Sequence, residues 1–579
     1  MSGKEEDFAS GVFVENGRSV EFPDLADAVA ELSESAADWL KVPPRERAEL
    51  LATMRHRVAG LADRWVSDGL RSKGAKPGGP SETEEWFTGP WGNLLHLRRL
   101  EQAMYDIERK GRPIPPGEPH VLPNDQVAVD VFPVDRWDSM FFSGVKAEIR
   151  MRPGVQLEDV TPGQARAYRE SMPGVALVLG GGNCATIAVG DVLRKLFVEN
   201  RVVLFKPNPL SAYTGPIISE AFQPLIEQGF LRVVQGGAEE GQWLCRHKDI
   251  TDIHVTGSNA TYDAIVASLG GDERKEDPVG RRTGGKLVTS ELGNVSPVIV
   301  VPGQWSDKDL EYGALQAVTG SLISMGFNCC SHRLMITHDQ WSQRSVFIDN
   351  VRDQLAALPS RESYYPEAPK LTRAFAEAHE TSERYGEELN DRTMCWNFLP
   401  DLDSSEIETP LFKSEVWGGV LGESTLRASD PAAFLDEAVE FCNEHVWGNL
   451  SITLIVHPSS LADPELASAL ERAVDNLRYG TVALNFWPGI AALLNTTFWG
   501  AYPEQRGDDI QSGDGLFGNT FMFELPQKTV VRAPFRTWPR PLWFLDRPNS
   551  HRAGRVLASF EAEPSWLGAA RVSFEAMRE

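Results

Sequence analysis

The sequence predicts an α/β protein in which parallel sheets are covered by helices. From Gly174 onward, short apolar runs alternate with segments long enough to form helices. The first series of runs is VALVL (175–179), RVVLF (201–205), LRVVQ (231–235) and DIHVT (252–256). The second series begins at KLVTSEL and continues through SPVIVV (296–301), HRLMIT (332–337) and SITLIV (451–456). Short buried runs that alternate with helices are typical of parallel sheets with crossover helices. We therefore expect two doubly wound α/β units.

Composition limits the class of protein and its partners. The chain has 579 residues, of which 42% are hydrophobic and 24% charged, and this length is enough for several domains with a large core. The formal net charge of -25 repels nucleic acid and anionic lipid, so neither is an expected partner. The six cysteines form no CxxC pair and there is no HExxH motif, so no metal site is expected.

The segment 174–193 has the length of a membrane span and is nearly free of charge. It contains five glycines and Asn183, and it divides into a strand, a turn and a helix. The N-terminal MSGKEEDFAS lacks the apolar core of a secretory signal. We therefore expect no membrane span and a cytoplasmic location.

The part of the chain before Gly174 has helical and extended patterns. Two amphipathic helices are predicted between Phe22 and Lys73, separated by Pro43-Pro44, and a third over 92–109. The Gly/Pro-rich, acidic segment 76–90 is predicted to be an exposed loop. Alternating residues in 126–152 predict extended strands.

The run Gly326-Phe327-Asn328-Cys329-Cys330 carries two adjacent thiols after a turn. Cysteine held as a thiolate is a strong nucleophile. Buried, inert core cysteines are the alternative interpretation. Glu291 follows an apolar strand and precedes a glycine turn, where a carboxylate is available to a thiol as a general base.

Two glycine turns follow predicted strands. Gly180-Gly181-Gly182-Asn183-Cys184-Ala185 matches the dinucleotide fingerprint G-x-G-x-x-A, but Lys206 stands where the usual acidic residue ends the next strand. The second turn is Val255-Thr256-Gly257-Ser258, whose free N–H groups at a helix start favour a phosphate. An ordinary strand-to-helix turn is the alternative for this second signal.

These motifs, in this order, resemble those of the aldehyde dehydrogenase superfamily from about Phe22 to Phe523. The resemblance implies that Cys329 is the nucleophile, Glu291 the general base and Asn183 the oxyanion donor. It also implies cofactor-binding roles, which fall on Lys206, Gly257, Ser258, Glu415 and Trp417. A helix cap is the alternative for Asn183, and a solvated surface charge is the alternative for Glu415.

The sequence departs from the family pattern at four places. Phe327 replaces the family glutamine of G-Q-x-C, Tyr262 the second glycine of G-S-x-x-x-G, Pro209 the acidic ribose ligand and Val192 the proton-relay lysine. The segments HVTGSNATYDAIV and GFNCC also resemble those of a branch of the superfamily that is close to acyl-CoA reductases. NAD or NADP is therefore the expected cofactor, and NADP is expected to be tolerated.

The expected reaction is oxidation of a small-molecule aldehyde to a carboxylic acid through a thioester on Cys329. Transfer of the acyl group to coenzyme A is the alternative, and a non-catalytic structural relative is the minor alternative. Phe327, Phe486 and Trp487 are candidates for the aldehyde pocket, together with Trp499. Core aromatics are the alternative interpretation of the last three.

The resemblance also implies a domain organisation and an assembly. The N-terminal helical part of the cofactor-binding domain is expected over 1–125, the oligomerisation arm over 126–152 and the dinucleotide-binding domain over 153–288. The catalytic domain is expected over 289–485, a return segment over 486–528 and a C-terminal extension over 529–579. Since 127–152 has no obvious partner strand, its edge is expected to pair between subunits in a homodimer or a dimer of dimers.

Overall fold

The computed structural model describes residues 12–15, 18–270, 275–277, 280–503 and 509–578. Two large β-sheets of 7 and 11 strands form its frame, with helices against their faces. None of the described helices is both long and apolar enough to cross a membrane.

The N-terminal part is mostly helical, as the amphipathic patterns predict. It comprises β1 (Val12–Glu15), β2 (Arg18–Glu21), α1 (Pro23–Trp39), α2 (Pro44–Ser72), α3 (Pro80–Trp86) and α4 (Gly92–Lys110). The prediction of an exposed loop over 76–90 is wrong for most of this segment, since α3 is a helix whose Glu84 and Glu85 are buried. The acidic composition does not indicate exposure here, because Glu85 pairs with Lys73 and Glu84 pairs with Arg361, both of which are half-buried.

The arm follows as β3 (His120–Val121), β4 (Val127–Phe132), α5 (Arg136–Phe141) and β5 (Lys146–Met151). Two short helices, α6 (Leu157–Gly163) and α7 (Arg166–Arg169), lead from the arm to the first α/β unit. Strands β3, β4 and β5 are antiparallel neighbours, so the alternating pattern of 126–152 predicts them correctly, although α5 interrupts it.

The first α/β unit forms the seven-stranded sheet. Its elements are β6 (Val175–Leu179), α8 (Ala185–Leu193), β7 (Val202–Lys206), α9 (Thr214–Ala221), α10 (Gln223–Glu227), β8 (Leu231–Val233), α11 (Ala238–Arg246), β9 (Ile250–Thr256), α12 (Asn259–Ser268), β10 (Lys275–Asp277), β11 (Gly280–Thr283) and β12 (Lys286–Glu291). The strand order is β10-β11-β12-β9-β6-β7-β8. All pairs from β12 to β8 are parallel, as expected for a doubly wound unit.

Strand β12 corrects the predicted start of the second unit. KLVTSEL was assigned to the second series, but β12 pairs in parallel with β9 of the first sheet. Apolar content alone does not identify the sheet to which a strand belongs, because that choice depends on the path of the connection.

The second unit forms the larger sheet. Its elements are β13 (Val298–Val300), α13 (Asp307–Leu322), β14 (Leu334–His338), α14 (Arg344–Ala357), β15 (Arg361–Glu362), α15 (Ala368–Glu377), β16 (Glu383–Tyr385), β17 (Thr393–Met394), β18 (Trp396–Leu402), α16 (Pro410–Lys413), β19 (Val420–Leu426), α17 (Pro431–His445), β20 (Ser451–Ile455), α18 (Pro464–Asn476) and β21 (Thr481–Leu484). The strand order is β16-β18-β19-β14-β13-β20-β21, followed by strands from the end of the chain and from the arm.

The last part of the chain joins the arm to the catalytic strands. It comprises α19 (Pro488–Leu493), β22 (Phe498–Trp499), β23 (Phe517–Gly518), β24 (Pro526–Arg532), α20 (Ser550–Ala562) and α21 (Trp566–Met577). Strand β24 pairs in parallel with β21 and antiparallel with β5, all within one chain. The arm therefore has a partner strand that is distant in sequence, on the side of β5, whereas the other side of β4 pairs with β3 only at Val127 and Ala128. Strand β24 also crosses the expected boundary at residue 529.

Candidate active site

A cavity of about 950 Å³ lies at the carboxyl ends of the parallel strands β6, β7, β9 and β12. It is the edge at which open α/β sheets bind ligands. The cavity brings together all the predicted catalytic and cofactor-binding residues: Asn183, Lys206, Gly257, Ser258, Glu291, Cys329, Glu415 and Trp417. Residues far apart in the chain meet here because strand ends collect at one edge.

The Cys329 thiol faces this cavity and contacts the predicted base. Its Sγ lies 3.1 Å from Oε1 of Glu291. Cys330 is buried in the core at 3% exposure, whereas Cys329 is half-buried. The pKa of the Cys329 thiol is raised, first by its hydrogen bond with Cys330 and then by burial and the charge of Glu291. Because the thiol is neutral, its proton must leave when the sulfur attacks. The Glu291 carboxylate is within reach of that proton.

Glu291 is buried at 4% exposure and is held at one oxygen. Trp499 donates its indole N–H to Oε1 of Glu291 at 2.9 Å, while Oε2 has no partner among the described residues. Burial raises the pKa of Glu291, with a further contribution from the Asp191 carboxylate. Trp499, a candidate for the aldehyde pocket, instead orients the base.

Asn183 ends the glycine turn after β6 and points its amide at the nucleophile turn. Its Nδ2 donates to the carbonyl of Phe327 at 3.1 Å. The residue that caps α8 is Cys184, without a side-chain hydrogen bond, so the helix-cap interpretation of Asn183 is wrong. A side-chain amide donor beside Cys329 has the chemistry needed to stabilise an oxyanion that forms there.

The turn before Cys329 has an unusual backbone. Ser324, Met325 and Gly326 all have positive φ values, of 52°, 59° and 76°. Two of these residues have side chains, and the left-handed conformation costs such residues about 1–2 kcal/mol each. Positive φ at non-glycine residues persists where surrounding contacts impose it.

A carboxylate from the N-terminal part holds this turn. Glu84 of α3 accepts the backbone N–H of Ser324 at 2.7 Å and forms two hydrogen bonds with Arg361, at 2.8 and 2.6 Å. Sequence reasoning missed Glu84 because it lies 240 residues from the turn. Glu84 and Glu85 are adjacent glutamates in an acidic, Gly/Pro-rich segment, and this pattern does not indicate that their side chains are buried.

The Lys206 side chain is buried at 7% exposure at the end of β7. Burial lowers its pKa, and the nearby Glu240 carboxylate opposes that shift. Glu239 also lines the cavity. Carboxylates on α11 therefore lie near the position where Pro209 lacks one, and they would oppose the 2′-phosphate that distinguishes NADP from NAD. Their presence weakens the expectation that NADP is tolerated.

One backbone N–H group of the second glycine turn is already hydrogen-bonded within the protein. Gly257 donates its N–H to the carbonyl of Glu291 at 3.0 Å, so this group is not free for a phosphate. Ser258 is the N-cap of α12 and accepts the N–H of Thr261. The turn thus joins the base strand β12 to the start of α12, where Ser258 and Thr261 line the cavity.

Glu415 and Trp417 close the side of the cavity next to Cys329. Glu415 accepts the backbone N–H of Asn294 at 3.4 Å, and burial raises its pKa to about 7, opposed by Arg333. The interpretation of Glu415 as a solvated surface charge is wrong, since it lines the cavity. Trp417 packs against Tyr365, whose ring centroid lies 5.7 Å away.

The predicted aldehyde-pocket residues do not line this cavity. Phe327 is fully buried and packs behind Tyr365 at a centroid distance of 4.7 Å. Phe486 and Trp487 line a separate cavity. The structure therefore places none of these three residues in the cavity that contains Cys329.

A buried polar pair lies beneath the base. His254 Nε2 lies 3.3 Å from Oδ1 of Asp191, and its Nδ1 lies 2.9 Å from the hydroxyl of Thr289. Thr256, the strand neighbour of Glu291, donates to Asp191 at 2.9 Å. Asp191 stands one residue before Val192, the position where the family has its lysine. Sequence reasoning did not identify this pair.

Solved structures share this architecture over most of the chain. An indole-3-acetaldehyde dehydrogenase complexed with NAD+ matches with a TM-score of 0.60 at 17% identity, over 89% of this chain and 90% of that one. The gamma-glutamyl-gamma-aminobutyraldehyde dehydrogenase of Burkholderia cenocepacia matches with a TM-score of 0.61 at 19% identity, over 90% and 91%. The chain has the aldehyde dehydrogenase fold.

Sequence relationships cover a smaller part of the chain. Residues 150–369 match the model of the aldehyde dehydrogenase family. The 4-trimethylaminobutyraldehyde dehydrogenase of Oryzias latipes is 32% identical over 180 residues, which is 31% of this chain and 32% of that relative. The B form of Danio rerio is 32% identical over 239 residues, 41% and 40% of the two chains. The chain thus spans about a third of the length of the first of these relatives. The predicted aldehyde dehydrogenase resemblance is confirmed, while closeness to acyl-CoA reductases stays a prediction.

Proposed function

We propose that this protein oxidises an aldehyde to a carboxylic acid with NAD or NADP. The observation that carries the proposal is the 3.1 Å contact between Cys329 Sγ and Glu291 Oε1 in a cavity that also contains Lys206 and the glycine turns. A nucleophile, a base and a dinucleotide-sized space are the three parts this reaction requires.

The cavity fits a dinucleotide. Its volume of about 950 Å³ is at the upper end of the range for ligand pockets. A Cβ on Gly182 would lie 3.0 Å from the side chain of Asn208, so the missing side chain leaves room between the first turn and β7. Lys206 would hold the ribose and the start of α12 the phosphates, while Glu415 and Trp417 would contact the nicotinamide end. The bound cofactor would supply the hydride acceptor.

The residues of this chain then have separate tasks. Cys329 sulfur attacks the aldehyde carbon and its proton passes to Glu291, while the Asn183 amide stabilises the oxygen that gains charge. Loss of hydride from the carbon leaves a thioester on Cys329. Glu291, after losing its proton to solvent, removes a proton from water, and the resulting hydroxide displaces the thiolate to yield the acid. Removal of one oxyanion donor typically costs about 2.7–4 kcal/mol of transition-state stabilisation.

Hydrolysis is favoured over transfer to coenzyme A by the position of Glu291. Water is a poor nucleophile and needs a base within hydrogen-bond reach, whereas a thiol is already partly ionised. The base contacts the sulfur that would carry the acyl group. A non-catalytic role is disfavoured because thiol, base and amide donor converge on one cavity.

A single-turnover experiment on Glu291→Gln tests this function. With aldehyde and NAD(P), we expect about one reduced cofactor per active site, then very slow turnover, with the acyl-enzyme visible by mass spectrometry. Parent enzyme is the control, with and without coenzyme A. Normal turnover of the variant, or a requirement of the parent for coenzyme A, would contradict the hydrolytic mechanism.

We infer that both cofactors bind, with Glu239 and Glu240 opposing a 2′-phosphate. Titration of the parent with NAD and NADP tests whether NADP is tolerated. The aldehyde itself requires a panel graded by chain length and aromaticity.

A cytoplasmic location and a homodimer or dimer of dimers stay predictions. Strand β24 pairs with β5, and the outer side of β4 pairs with the short β3 only at Val127 and Ala128, so an edge of the arm is still available for pairing between subunits.

A further inference from the structure

Four side chains stand together on one face of the first sheet, around the proposed base. In the parallel pair of β9 and β12, Glu291 lies opposite Thr256, and Thr289 lies opposite His254. Side chains two residues apart on a strand point to the same face of the sheet, so these four share a face. Because neighbouring strands are about 4.8 Å apart, Glu291 is next to Thr256 and diagonal to His254.

Asp191 of α8 covers this face of the sheet. Its Oδ2 accepts the hydroxyl of Thr256 at 2.9 Å, and its Oδ1 lies 3.3 Å from Nε2 of His254. Asp191 and His254 are only 2% and 3% exposed. Gly515 lies against the histidine ring, since a Cβ on it would be 2.7 Å from Cε1 of His254. The pair is shielded from water, so its charges act strongly on neighbouring groups.

The hydrogen bonds of His254 show which ring nitrogen faces Asp191 and takes up the second proton. The hydroxyl of Thr289 donates its single hydrogen to the carbonyl of Ile253 at 3.3 Å. It therefore accepts from Nδ1 of His254, which lies 2.9 Å away. Nδ1 thus carries a hydrogen, and Nε2 gains a proton when the ring becomes charged. Protonated His254 and the Asp191 carboxylate then form an ion pair without net charge.

Glu291 is affected by both members of this pair. Burial is the first cause of the raised pKa of Glu291, the Asp191 carboxylate raises it further, and His254 opposes the shift. Oε2 of Glu291 is buried and has no partner among the described residues, so a proton is readily held there. A general base works best when it titrates near the operating pH, and an unbalanced Asp191 would keep this base protonated.

Three other titratable groups face Glu291, namely the thiols of Cys329 and Cys184 and the carboxylate of Glu415. Burial raises the pKa of Cys184 to about 11, so this thiol is neutral at physiological pH. Burial raises the pKa of Glu415 to about 7, and the nearby Arg333 opposes that shift. None of the three is a cation that could balance Asp191.

His254 faces one further carboxylate, that of Glu199. Glu199 is paired with Arg194 at 2.9 Å and with Lys195 at 2.6 Å, so its charge is already balanced. In the described part of the chain, His254 is the group at ion-pair distance that balances Asp191.

We propose that Asp191 and His254 are positioning residues that act through Glu291 and control whether this base holds a proton. Asp191 favours the protonated base, whereas protonated His254 favours the free carboxylate that can take the thiol proton. The inference rests on the proposed function, in which Glu291 is the base, but its test needs neither aldehyde nor cofactor.

The test is the rate of alkylation of Cys329 by iodoacetamide in the full chain, measured against pH and assigned to this thiol by peptide mass spectrometry. Ionised Glu291 can take the thiol proton, so the rate should rise as pH passes through the titration of Glu291. The variant Glu291→Gln should lack this rise, which separates it from any contribution of Glu415.

The two members of the pair should shift the midpoint of this rise in opposite directions. Asp191→Asn removes a like charge and should lower the midpoint by about one pH unit, a change of about tenfold in proton affinity. His254→Gln leaves Asp191 unbalanced and should raise it by about one unit. Adding His254→Gln to Asp191→Asn should cause no further shift, because no carboxylate is left to balance.

Two buried residues outside the pair provide matched controls. Asp252 lies on the same strand and face as His254 but pairs with Arg201 at 3.1 Å, and His96 is a histidine with 0% exposure. Asp252→Asn and His96→Gln should leave the midpoint unchanged. Circular dichroism verifies folding of every variant.

Thr289→Val offers a milder change if His254→Gln does not fold. It keeps Asp191 and His254 and removes the acceptor of the Nδ1 hydrogen, so protonated His254 is less favoured and the midpoint should rise by less than in His254→Gln. Shifts of Asp191→Asn and His254→Gln in the same direction would overturn the inference. The same holds for an unmoved midpoint in variants of a parent whose rise depends on Glu291, and the proposed function would then stand. A parent without the rise would overturn both the inference and the role of Glu291 as base.

Discussion

At the scale of single residues, the two adjacent thiols have different environments. Cys329 opens to the cavity and contacts Glu291, whereas Cys330 is part of the core. We predict that Cys329→Ser lowers kcat by more than about 10³-fold, as loss of a nucleophile does. Cys330→Ser should lower it by less than about tenfold, or about 1.4 kcal/mol. Steady-state kinetics of both variants compare them directly, and an inactive Cys330→Ser would shift the motif register by one residue.

Glu84 is predicted to be a positioning residue for the nucleophile turn. Glu84→Ala removes the acceptor for Ser324 N–H and leaves Arg361 without its carboxylate, so kcat should fall about 10- to 100-fold, as for a misplaced reacting group. The alkylation rate of Cys329 by iodoacetamide should change, while cofactor affinity should not.

Glu82→Ala is the matched control for this variant, because Glu82 lies on the same helix and its carboxylate accepts hydrogen bonds from the nearby Gly78 and Trp86. Partial rescue is expected in Glu84→Gln, which keeps an acceptor oxygen. Unchanged thiol reactivity in Glu84→Ala would show that the carboxylate stabilises the fold without positioning Cys329.

Glu291 gives the reaction a pH dependence with a defined sign. Burial raises its pKa, and only the carboxylate accepts a proton, so hydrolysis of the thioester should slow as pH falls through that raised value and level off above it. The pH dependence is measured from single-turnover rates of deacylation over a range around neutrality, from roughly pH 5 to pH 9. The Glu291→Gln variant should lack this limb, and a parent rate independent of pH would contradict the assignment.

At the scale of elements, α20 and α21 of the C-terminal extension pack against the N-terminal helices and the arm. Phe560 is 2% exposed and forms edge contacts with Trp137 and Phe141, at centroid distances of 5.3 and 5.0 Å. We predict that Phe560→Ala lowers the free energy of unfolding by about 3–5 kcal/mol. Phe574→Ala, at a position 57% exposed, should change it by less than about 0.5 kcal/mol. Denaturant unfolding of both variants measures the difference, and equal values would mean that the extension is not docked.

At the scale of the whole molecule, the arm is joined to the eleven-stranded sheet within one chain. Strand β24 joins the arm to the catalytic strands, so the docking of the arm needs no second subunit. We predict that the thermal midpoint is independent of protein concentration from nanomolar to micromolar, because intramolecular contacts do not follow mass action. Light scattering over the upper part of this range records the oligomeric state in parallel. A midpoint that falls on dilution would indicate that a partner chain covers the arm.

The sequence alone predicts most of the secondary structure, and it places a thiol after a turn and the carboxylate of Glu291 after an apolar strand, where parallel strand ends meet at one edge. The proposed choice of Cys329 over Cys330 and the proposed role of Asn183 come from the family resemblance. Local periodicity also predicted the helices α1, α2 and α4, since the side chains that face the core recur at the spacing of the helix.

Only the tertiary structure decided what depends on distant contacts. The bond from Glu84 to the nucleophile turn, the place of β12 in the first sheet, the pairing of β24 with β5 and the position of Phe486 and Trp487 in a separate cavity all join residues far apart in the chain. Periodicity reports which side chains are buried, and it carries no information about their partners, because the free energy of burial is nearly independent of which apolar surface provides the cover.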